Sequence, residues 1–336
     1  MLDKKNLTIL AKQVANADRK AKIAFSFNGK DYSYDALNST LRDEFKELAG
    51  DYNSFRRNKV TLFEIMQEVV DEVMPKRVLE SYGQWAEIKQ YGQGNKPIFA
   101  KKVGKNRAKK FITKVGLAGI YDVFKLDRQS FEIETTAYGG AAQIGLEEYL
   151  DGMIDFADLL EVIIEGLTDC VFKEIGKALT AMYSTMPGSQ KASAANFDAS
   201  VFDALLIKAR AYGEPTIFTT LELASKIVPA TNWIGDEDKS DVRNQGYVGV
   251  YKGVKVMVIP QSYEDESLTE KVIDPSYAWI LTNASSDKPI KIALEGETII
   301  DEYVNYDRSR EIQAYRKFGV GIVNQNDIFV YEDTAL

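Results

Sequence analysis

The chain has 336 residues, of which 42 are Lys or Arg and 50 are Asp or Glu, so its net charge is −8 at pH 7. Apolar residues make up 45% and charged residues 27%, which is typical of a globular protein and excludes a disordered one. The chain has no histidine, which excludes a His general base, a Ser-His-Asp triad and imidazole metal ligands. Its single cysteine, Cys170, excludes an intrachain disulfide and a cysteine-rich metal site. We therefore expect a protein that is not an enzyme and has no metal and no cofactor.

The N-terminal segment lacks the apolar core of a signal peptide, and no stretch is apolar enough to form a membrane-spanning helix. We therefore expect a protein that stays in a cytoplasm-like compartment and has no membrane partner.

Residues 1–83 are predicted to be helical. One helix is indicated by apolar residues at helical spacing, namely Leu37, Leu41, Phe45 and Leu48. A second helix is predicted from Thr61, the first residue of a capping box, to Pro75, because proline commonly ends a helix.

Residues 84–114 are strongly basic. They contain nine Lys or Arg residues and one acidic residue, Glu87, so their net charge is +8. Short β-prone runs between glycines predict a long, exposed β-hairpin, which we call the basic arm. Four aromatic residues are interleaved with the cations: Trp85, Tyr91, Phe99 and Phe111.

A long acidic helix is predicted at residues 146–182, which contain no proline and have apolar residues at helical spacing. Nine acidic residues against two lysines give it a net charge of −7. Strand-like segments precede it at 117–136, and the glycine-rich residues 137–145 are predicted to be a flexible joint. After a linker at 186–200, the pattern is mixed α/β to the end of the chain. It predicts a helix at 201–212, a short buried strand at 215–220 and a hairpin at 246–260 that turns at Lys252-Gly253.

The basic arm has two interpretations. Cations interleaved with aromatic residues are typical of a nucleic-acid groove. Alternatively, the arm lies on an acidic protein surface, and the helix at 146–182 is such a surface. An arm cannot easily bury itself on its own neighbouring helix, but it can lie across the next subunit of an assembly. We favour this second interpretation.

The order of these elements resembles the major capsid protein of tailed bacteriophages, which has the Hong Kong 97 type of α+β fold that encapsulins share. Three segments carry the resemblance: EPTIFTTLELASKIV (214–228), GYVGVYKGVKVMVIPQS (246–262) and YVNYDRSREIQAYRKFGVGIVNQNDIFVYE (303–332).

The resemblance implies an order of parts along the chain. These parts are an N-terminal arm (1–83), an extended β-hairpin loop (84–115), a peripheral domain (116–194 and 311–336) with the spine helix 146–182, and an axial domain (195–310). The N-terminal part is longer than a minimal arm, so it is a built-in scaffolding segment, a cleaved propeptide or an elaborated arm.

The resemblance further implies a structural virion protein whose copies form hexamers and pentamers of an icosahedral capsid around double-stranded DNA, bound without sequence specificity. Assembly would occur in the cytoplasm of a bacterial host, with scaffolding, portal and decoration proteins as further partners. The expected intersubunit contacts join cations of the arm to acids of the helix. The cations are Lys101, Lys102, Lys105, Arg107, Lys109 and Lys110, and the acids are Asp151, Asp155 and Asp158. Two alternatives stay open: an encapsulin-like shell, and a nucleic-acid-binding protein that uses the basic arm.

Overall fold

A computed structural model describes residues 3–17, 25–27, 30–83, 85–101, 129–144, 155–228, 242–259, 261, 263, 267–269, 271–282, 288–306, 310–323 and 328–336. The helices are α1 (Lys4–Asn16), α2 (Tyr34–Ala49), α3 (Tyr52–Tyr82), α4 (Phe156–Thr185), α5 (Ala199–Tyr212) and α6 (Leu221–Ala224). The strands are β1 (Phe25–Phe27), β2 (Lys30–Tyr32), β3 (Ala86–Tyr91), β4 (Ile98–Lys101), β5 (Gln129–Glu132), β6 (Thr136–Ile144), β7 (Lys191–Ala194), β8 (Pro215–Thr219), β9 (Val250–Tyr251), β10 (Val254–Val258), β11 (Tyr277–Thr282), β12 (Ile290–Val304), β13 (Arg310–Ile322) and β14 (Ile328–Asp333).

The N-terminal part is mainly helical, but contrary to the prediction it also contains the antiparallel pair β1–β2. The boundaries of its longest helix also differ from those expected. Helix α3 begins at Tyr52, where the Asp51 side chain accepts a hydrogen bond from the backbone N–H of Ser54, and it continues through Pro75. The predicted start at Thr61 and end at Pro75 are therefore wrong. Buried residues on both sides of the proline keep the segment helical, because packing in the core outweighs the missing hydrogen bond. Helix α3 is thus an integral part of the folded subunit.

The acidic helix is also shorter than predicted. Helix α4 begins at Phe156, because Asp155 has an extended backbone and caps the helix. The predicted start at residue 146 is therefore wrong, and residues 145–154 lie outside the described part of the chain. At about 1.5 Å per residue, its 30 residues span about 45 Å.

One sheet has four strands in the order β3-β12-β13-β6. Strands β12 and β13 form a long antiparallel hairpin, and β6 pairs with β13 from Thr136 to Ile144. Residues 137–145 were expected to be a flexible joint, but 137–144 lie in this strand. A Cβ atom at Gly139 would lie only 2.6 Å from the carbonyl oxygen of Ala314, so close strand packing accounts for this glycine.

The other large sheet has six strands in the order β7-β14-β11-β8-β10-β9. The helix predicted at 201–212 is present at 199–212, and the strand predicted at 215–220 is present at 215–219. The predicted hairpin that turns at Lys252-Gly253 is also present. Both turn residues have positive φ, 47° and 75°, which suits a tight two-residue β-turn.

The two sheets divide the chain differently from the predicted domains. Strand β12, expected in the axial domain, belongs to the four-stranded sheet, whereas β14, expected in the peripheral domain, belongs to the six-stranded sheet. The cause is the pairing of β12 with β13 and of β14 with β11. The predicted domain boundary at residue 310 therefore does not coincide with the division of the strands between the two sheets.

One hydrophobic core joins these parts. It contains α3, α4 and β12 together with residues of the six-stranded sheet such as Phe218 and Trp279. The rings of Trp85 and Phe218 meet edge to face with centroids 5.7 Å apart. Among the described residues, no helix has the length and apolar character needed to cross a membrane.

Candidate assembly interface

The base of the basic arm is an antiparallel strand pair. Strand β4 pairs with β5, with Ile98 opposite Glu132 and Lys101 opposite Gln129. Strand β3 pairs instead with β12 in parallel. The predicted hairpin at 84–115 is therefore wrong in its boundaries, because the partner of β4 is at residues 129–132, beyond the predicted arm.

An aromatic cluster anchors this base to the four-stranded sheet. Phe99 is only 1% exposed, and its ring stacks on Phe131 with centroids 5.8 Å apart. Ile133 and Ala293 complete the cluster, and Lys89 Nζ lies 4.8 Å from the centroid of the Phe99 ring. The base thus has a small apolar core of its own.

The predicted cations of the arm are mostly outside the described residues. Lys101 is the last residue of β4, and the other five cations lie outside the described residues, namely Lys102, Lys105, Arg107, Lys109 and Lys110. Strands β4 and β5 flank residues 102–128, and Lys101 pairs with Gln129.

Two arm aromatics are part of the protein interior. Trp85 and Phe99 are buried, so neither ring is available to stack on a nucleic-acid base. The Tyr91 hydroxyl donates a hydrogen bond to the carbonyl oxygen of Ile98 at 3.0 Å. Phe111 lies outside the described residues. The aromatic pattern in the sequence therefore reflects packing for these first three residues.

Two of the three predicted acids have a partner within their own chain. Asp155 accepts hydrogen bonds from the backbone N–H of Ala157 at 2.9 Å and from the guanidinium of Arg42. Arg42 also donates to Asp158, at 3.5 Å from Nη1 to Oδ2. Asp151 lies outside the described residues. Arg42 was not predicted as a partner, because nothing in its sequence position on α2 indicates that it reaches α4.

A polar cleft of about 610 Å³ lies beside the base of the arm. Glu295 on its wall accepts hydrogen bonds from the Thr135 hydroxyl and, at 2.9 Å, from the backbone N–H of Gly94. These hydrogen bonds hold the pKa of Glu295 below its usual value. Glu295 therefore ties the turn at 92–95 to the sheet, a role that the sequence does not indicate.

Apolar side chains are exposed at the end of the β12–β13 hairpin. Tyr303 and Val304 are 60% and 59% exposed, and Tyr306 is fully exposed. A group of exposed apolar residues in one place is typical of a protein–protein contact.

A second exposed apolar surface is a groove of about 250 Å³ between α4 and β6. Its walls include Val162, which is 65% exposed, and Cys170, which is half-buried. The sequence did not predict this groove, because residues 137–145 were expected to be a joint and not a strand.

Comparison with known proteins identifies the family. A family model described as "SPbeta prophage-derived putative capsid protein YonB" matches residues 6–331. No curated protein matches the chain in sequence.

Several solved structures of capsids and a related particle are similar to the chain. The chain is similar to the capsid of a native GTA particle, with 11% identity and a TM-score of 0.52 over 75% of this chain and 89% of that one. It is similar to the capsid of the cyanophage P-SCSP1u, with 9% identity, a TM-score of 0.49 and coverage of 74% and 86%. It is also similar to a virus-like particle from Pyrococcus furiosus, with 13% identity, a TM-score of 0.46 and coverage of 79% and 98%. The chain belongs to the YonB family of prophage-derived capsid proteins and has the α+β Hong Kong 97-type capsid fold.

Proposed function

We propose that copies of this protein form hexamers and pentamers that close an icosahedral capsid around double-stranded DNA, and that the basic arm of each subunit lies across its neighbour. The observation that carries the proposal is the base of the arm. A strand pair with its own aromatic cluster holds Lys101 and Gln129, and five of the six proposed cations lie in the sequence between these two residues.

The charge distribution supports a contact between copies. Residues 84–114 have a net charge of +8, so the remainder of the chain has −16. Head-to-tail contacts of this kind generate rings and closed shells. Each exposed ion pair contributes only ~0–1 kcal/mol, so such contacts determine register and assembly order more than the strength of any one interface.

Further partners follow from a capsid that is filled with DNA. We expect assembly in the cytoplasm of a bacterial host, with scaffolding, portal and decoration proteins. The packaged DNA is bound without sequence specificity, because contacts to phosphates carry no direct sequence information.

Charge reversal in the arm tests the proposal. The triple variant Lys102→Glu, Lys105→Glu, Lys109→Glu is expected to remain as folded, unassembled subunits, because the arm loses its attraction for the acidic neighbour. The matched control changes the same three lysines to Arg and is expected to form shells. Electron microscopy and light scattering measure assembly, and circular dichroism verifies folding. Normal shells from the Glu variant would contradict the proposal.

The contents of the particle separate a capsid from an encapsulin-like shell. Particles purified from the host are expected to contain nuclease-protected DNA. Particles that instead contain one abundant enzyme, identified by mass spectrometry, would favour the encapsulin alternative.

A further inference from the structure

An open groove of about 340 Å³ lies between α5 and β7, at one edge of the six-stranded sheet. Its apolar wall includes Ala192, Val201, Ala204 and Leu205. Ile207, three residues after Ala204 on α5, is 69% exposed and extends this apolar surface. In the described part of the chain, β7 pairs with β14 on one side and with no strand on the other, so its outer backbone groups are available to an added segment.

Two lysines, Lys191 and Lys208, give the groove a positive charge. Lys191 Nζ donates to the carbonyl oxygen of Ser184 at 3.4 Å and lies 4.7 Å from the centroid of the Tyr183 ring. Lys208 Nζ donates to the carbonyl oxygen of Ser189 at 3.3 Å. Since neither ammonium group forms an ion pair with a carboxylate among the described residues, the groove favours an occupant that supplies acids.

One segment of the chain has the complementary chemistry. Residues 233–238, with the sequence WIGDED, place two apolar residues before three acids. They belong to residues 229–241, which lie outside the described part of the chain and contain four acids and one lysine. The apolar pair matches the apolar wall of the groove, and the acids match its two lysines.

The lysines and this segment belong to opposite ends of the six-stranded sheet. Strands β7, β14 and β8 run in the same direction, Lys191 is the first residue of β7, and Lys208 lines the same groove. Residues 229–241 instead follow α6, which begins just after the end of β8. The chain also returns beside α6, because a Cβ atom at Gly246 would lie 3.7 Å from Leu221 Cδ1. A contact between copies through these two different surfaces is head-to-tail, and contacts of this kind close rings.

We propose that residues 233–238 of one subunit dock in the α5–β7 groove of the next subunit in a ring, with the apolar pair beside Ala204 and the acids beside Lys191 and Lys208. This inference rests on the proposed function and adds to it a contact between the six-stranded sheets of neighbouring copies, separate from the basic arm. Each subunit supplies one segment and one groove, so a closed ring of five or six copies leaves neither without a partner.

Charge reversal tests the ionic part of this contact. The variant Lys191→Glu, Lys208→Glu is expected to lower the yield of shells at least about tenfold, because attraction becomes repulsion and about 1.4 kcal/mol already gives this factor. The matched control, Lys191→Arg, Lys208→Arg, keeps both charges and is expected to assemble, and circular dichroism verifies that both variants fold. Adding Asp236→Lys and Asp238→Lys to the Glu variant is expected to recover assembly, since opposite charges again face each other. Equal shell yields from the Glu and Arg variants would overturn the inference.

A disulfide tests the position directly. In a Cys170→Ala background, which removes the only natural cysteine, Ala204→Cys is combined with Ile234→Cys. Assembled shells are treated with diamide, which accepts the two electrons and two protons released as two thiols form one S–S bond. Non-reducing electrophoresis is expected to show covalent ladders of up to six subunits. The matched control combines Ile234→Cys with Ala211→Cys, which is also exposed on α5 but about 10 Å farther along the helix, too far for the same disulfide.

The two proposals fail in distinguishable ways. If the natural protein forms no shells, the proposed function is wrong. If shells form but the cysteines at 204 and 234 give no covalent oligomers, or link only within one chain, the α5–β7 groove does not receive this segment of a neighbour and the inference is overturned. Equally strong ladders from the control pair would also overturn it, because the links would then reflect random collision and not docking.

Discussion

The guanidinium of Arg316 on β13 is buried against the carboxylate of Asp71 in the middle of α3. Thr298 on β12 completes the cluster. Its backbone N–H donates to the same carboxylate at 3.0 Å, and its hydroxyl accepts a hydrogen bond from Arg316 Nη1 at 3.2 Å. Burial lowers the pKa of Arg316, while the Asp71 carboxylate acts in the opposite direction. This cluster fixes helix α3 to the long hairpin.

Removing one partner of this pair is expected to be costly. Asp71→Ala leaves a buried charge without its counterion, which costs about 3–5 kcal/mol of unfolding free energy. The double variant Asp71→Ala, Arg316→Met is expected to recover much of that loss, because it removes both charges. Urea unfolding measures the unfolding free energies of the single and the double variant. A loss below about 1 kcal/mol in the single variant would contradict the role given to this pair.

The stability of the turn at 92–95 is expected to depend on pH through Glu295. Its pKa in the folded protein lies below the ordinary value of 4.5, so the carboxylate stabilises the fold above that pH. This contribution is lost as the pH falls through the lowered pKa. Glu295→Gln should therefore be less stable than the natural protein at pH 7, and the difference should shrink at about pH 3.5.

Urea unfolding at both pH values measures this effect. Asp301→Asn, which removes an exposed carboxylate from the same strand, is the control and should show a smaller difference at pH 7. If Glu295→Gln lowers the unfolding free energy by the same amount at both pH values, the stabilising role given to the Glu295 carboxylate is contradicted.

Asp155 is expected to stabilise α4 as its N-cap. Asp155→Ala removes the acceptor for the N–H of Ala157 and should cost about 1–2 kcal/mol. Asp155→Asn keeps a capping oxygen and loses only the exposed ion pair with Arg42, worth ~0–1 kcal/mol. In thermal unfolding, the natural protein is expected to be the most stable, the Asn variant less stable and the Ala variant the least stable. An Asn variant as unstable as the Ala variant would assign the effect to charge and not to capping.

Pro75→Ala is expected to raise the unfolding free energy by about 1 kcal/mol. The substitution restores an N–H that can donate to the carbonyl of Asp71, and this gain exceeds the lost stiffness of proline in the unfolded chain. Lys76→Ala, an exposed change in the next residue, is the control. A lower stability of Pro75→Ala would show that the proline ring contributes essential packing.

The sequence indicates most elements of the fold but few of their partners. Apolar spacing predicts α2 and α4, and the Lys252-Gly253 turn predicts the β9–β10 hairpin, because these signals are local. Pro75 and the glycines of β6 are also local signals, yet both mislead. Tertiary packing keeps α3 helical through its proline and gives β6 its partner, β13.

Local sequence signals likewise indicate only part of the candidate interface. The charge of the basic arm is evident from the sequence, and the family match agrees with an assembling protein. The pairing of Arg42 with Asp155 joins residues that are 113 positions apart, and the α4–β6 groove exists only once the sheet is complete. Neither feature has a signature within a short window of sequence.

The position of β14 has a consequence for synthesis. This strand lies between β7 and β11, although β7 precedes it by more than 130 residues. Until residues 328–333 leave the ribosome, β7 has no partner in the sheet and one edge of β11 stays open. The six-stranded sheet is therefore completed only after every strand of the four-stranded sheet has been made, so a nascent chain cannot present the finished subunit surface to other copies before that point.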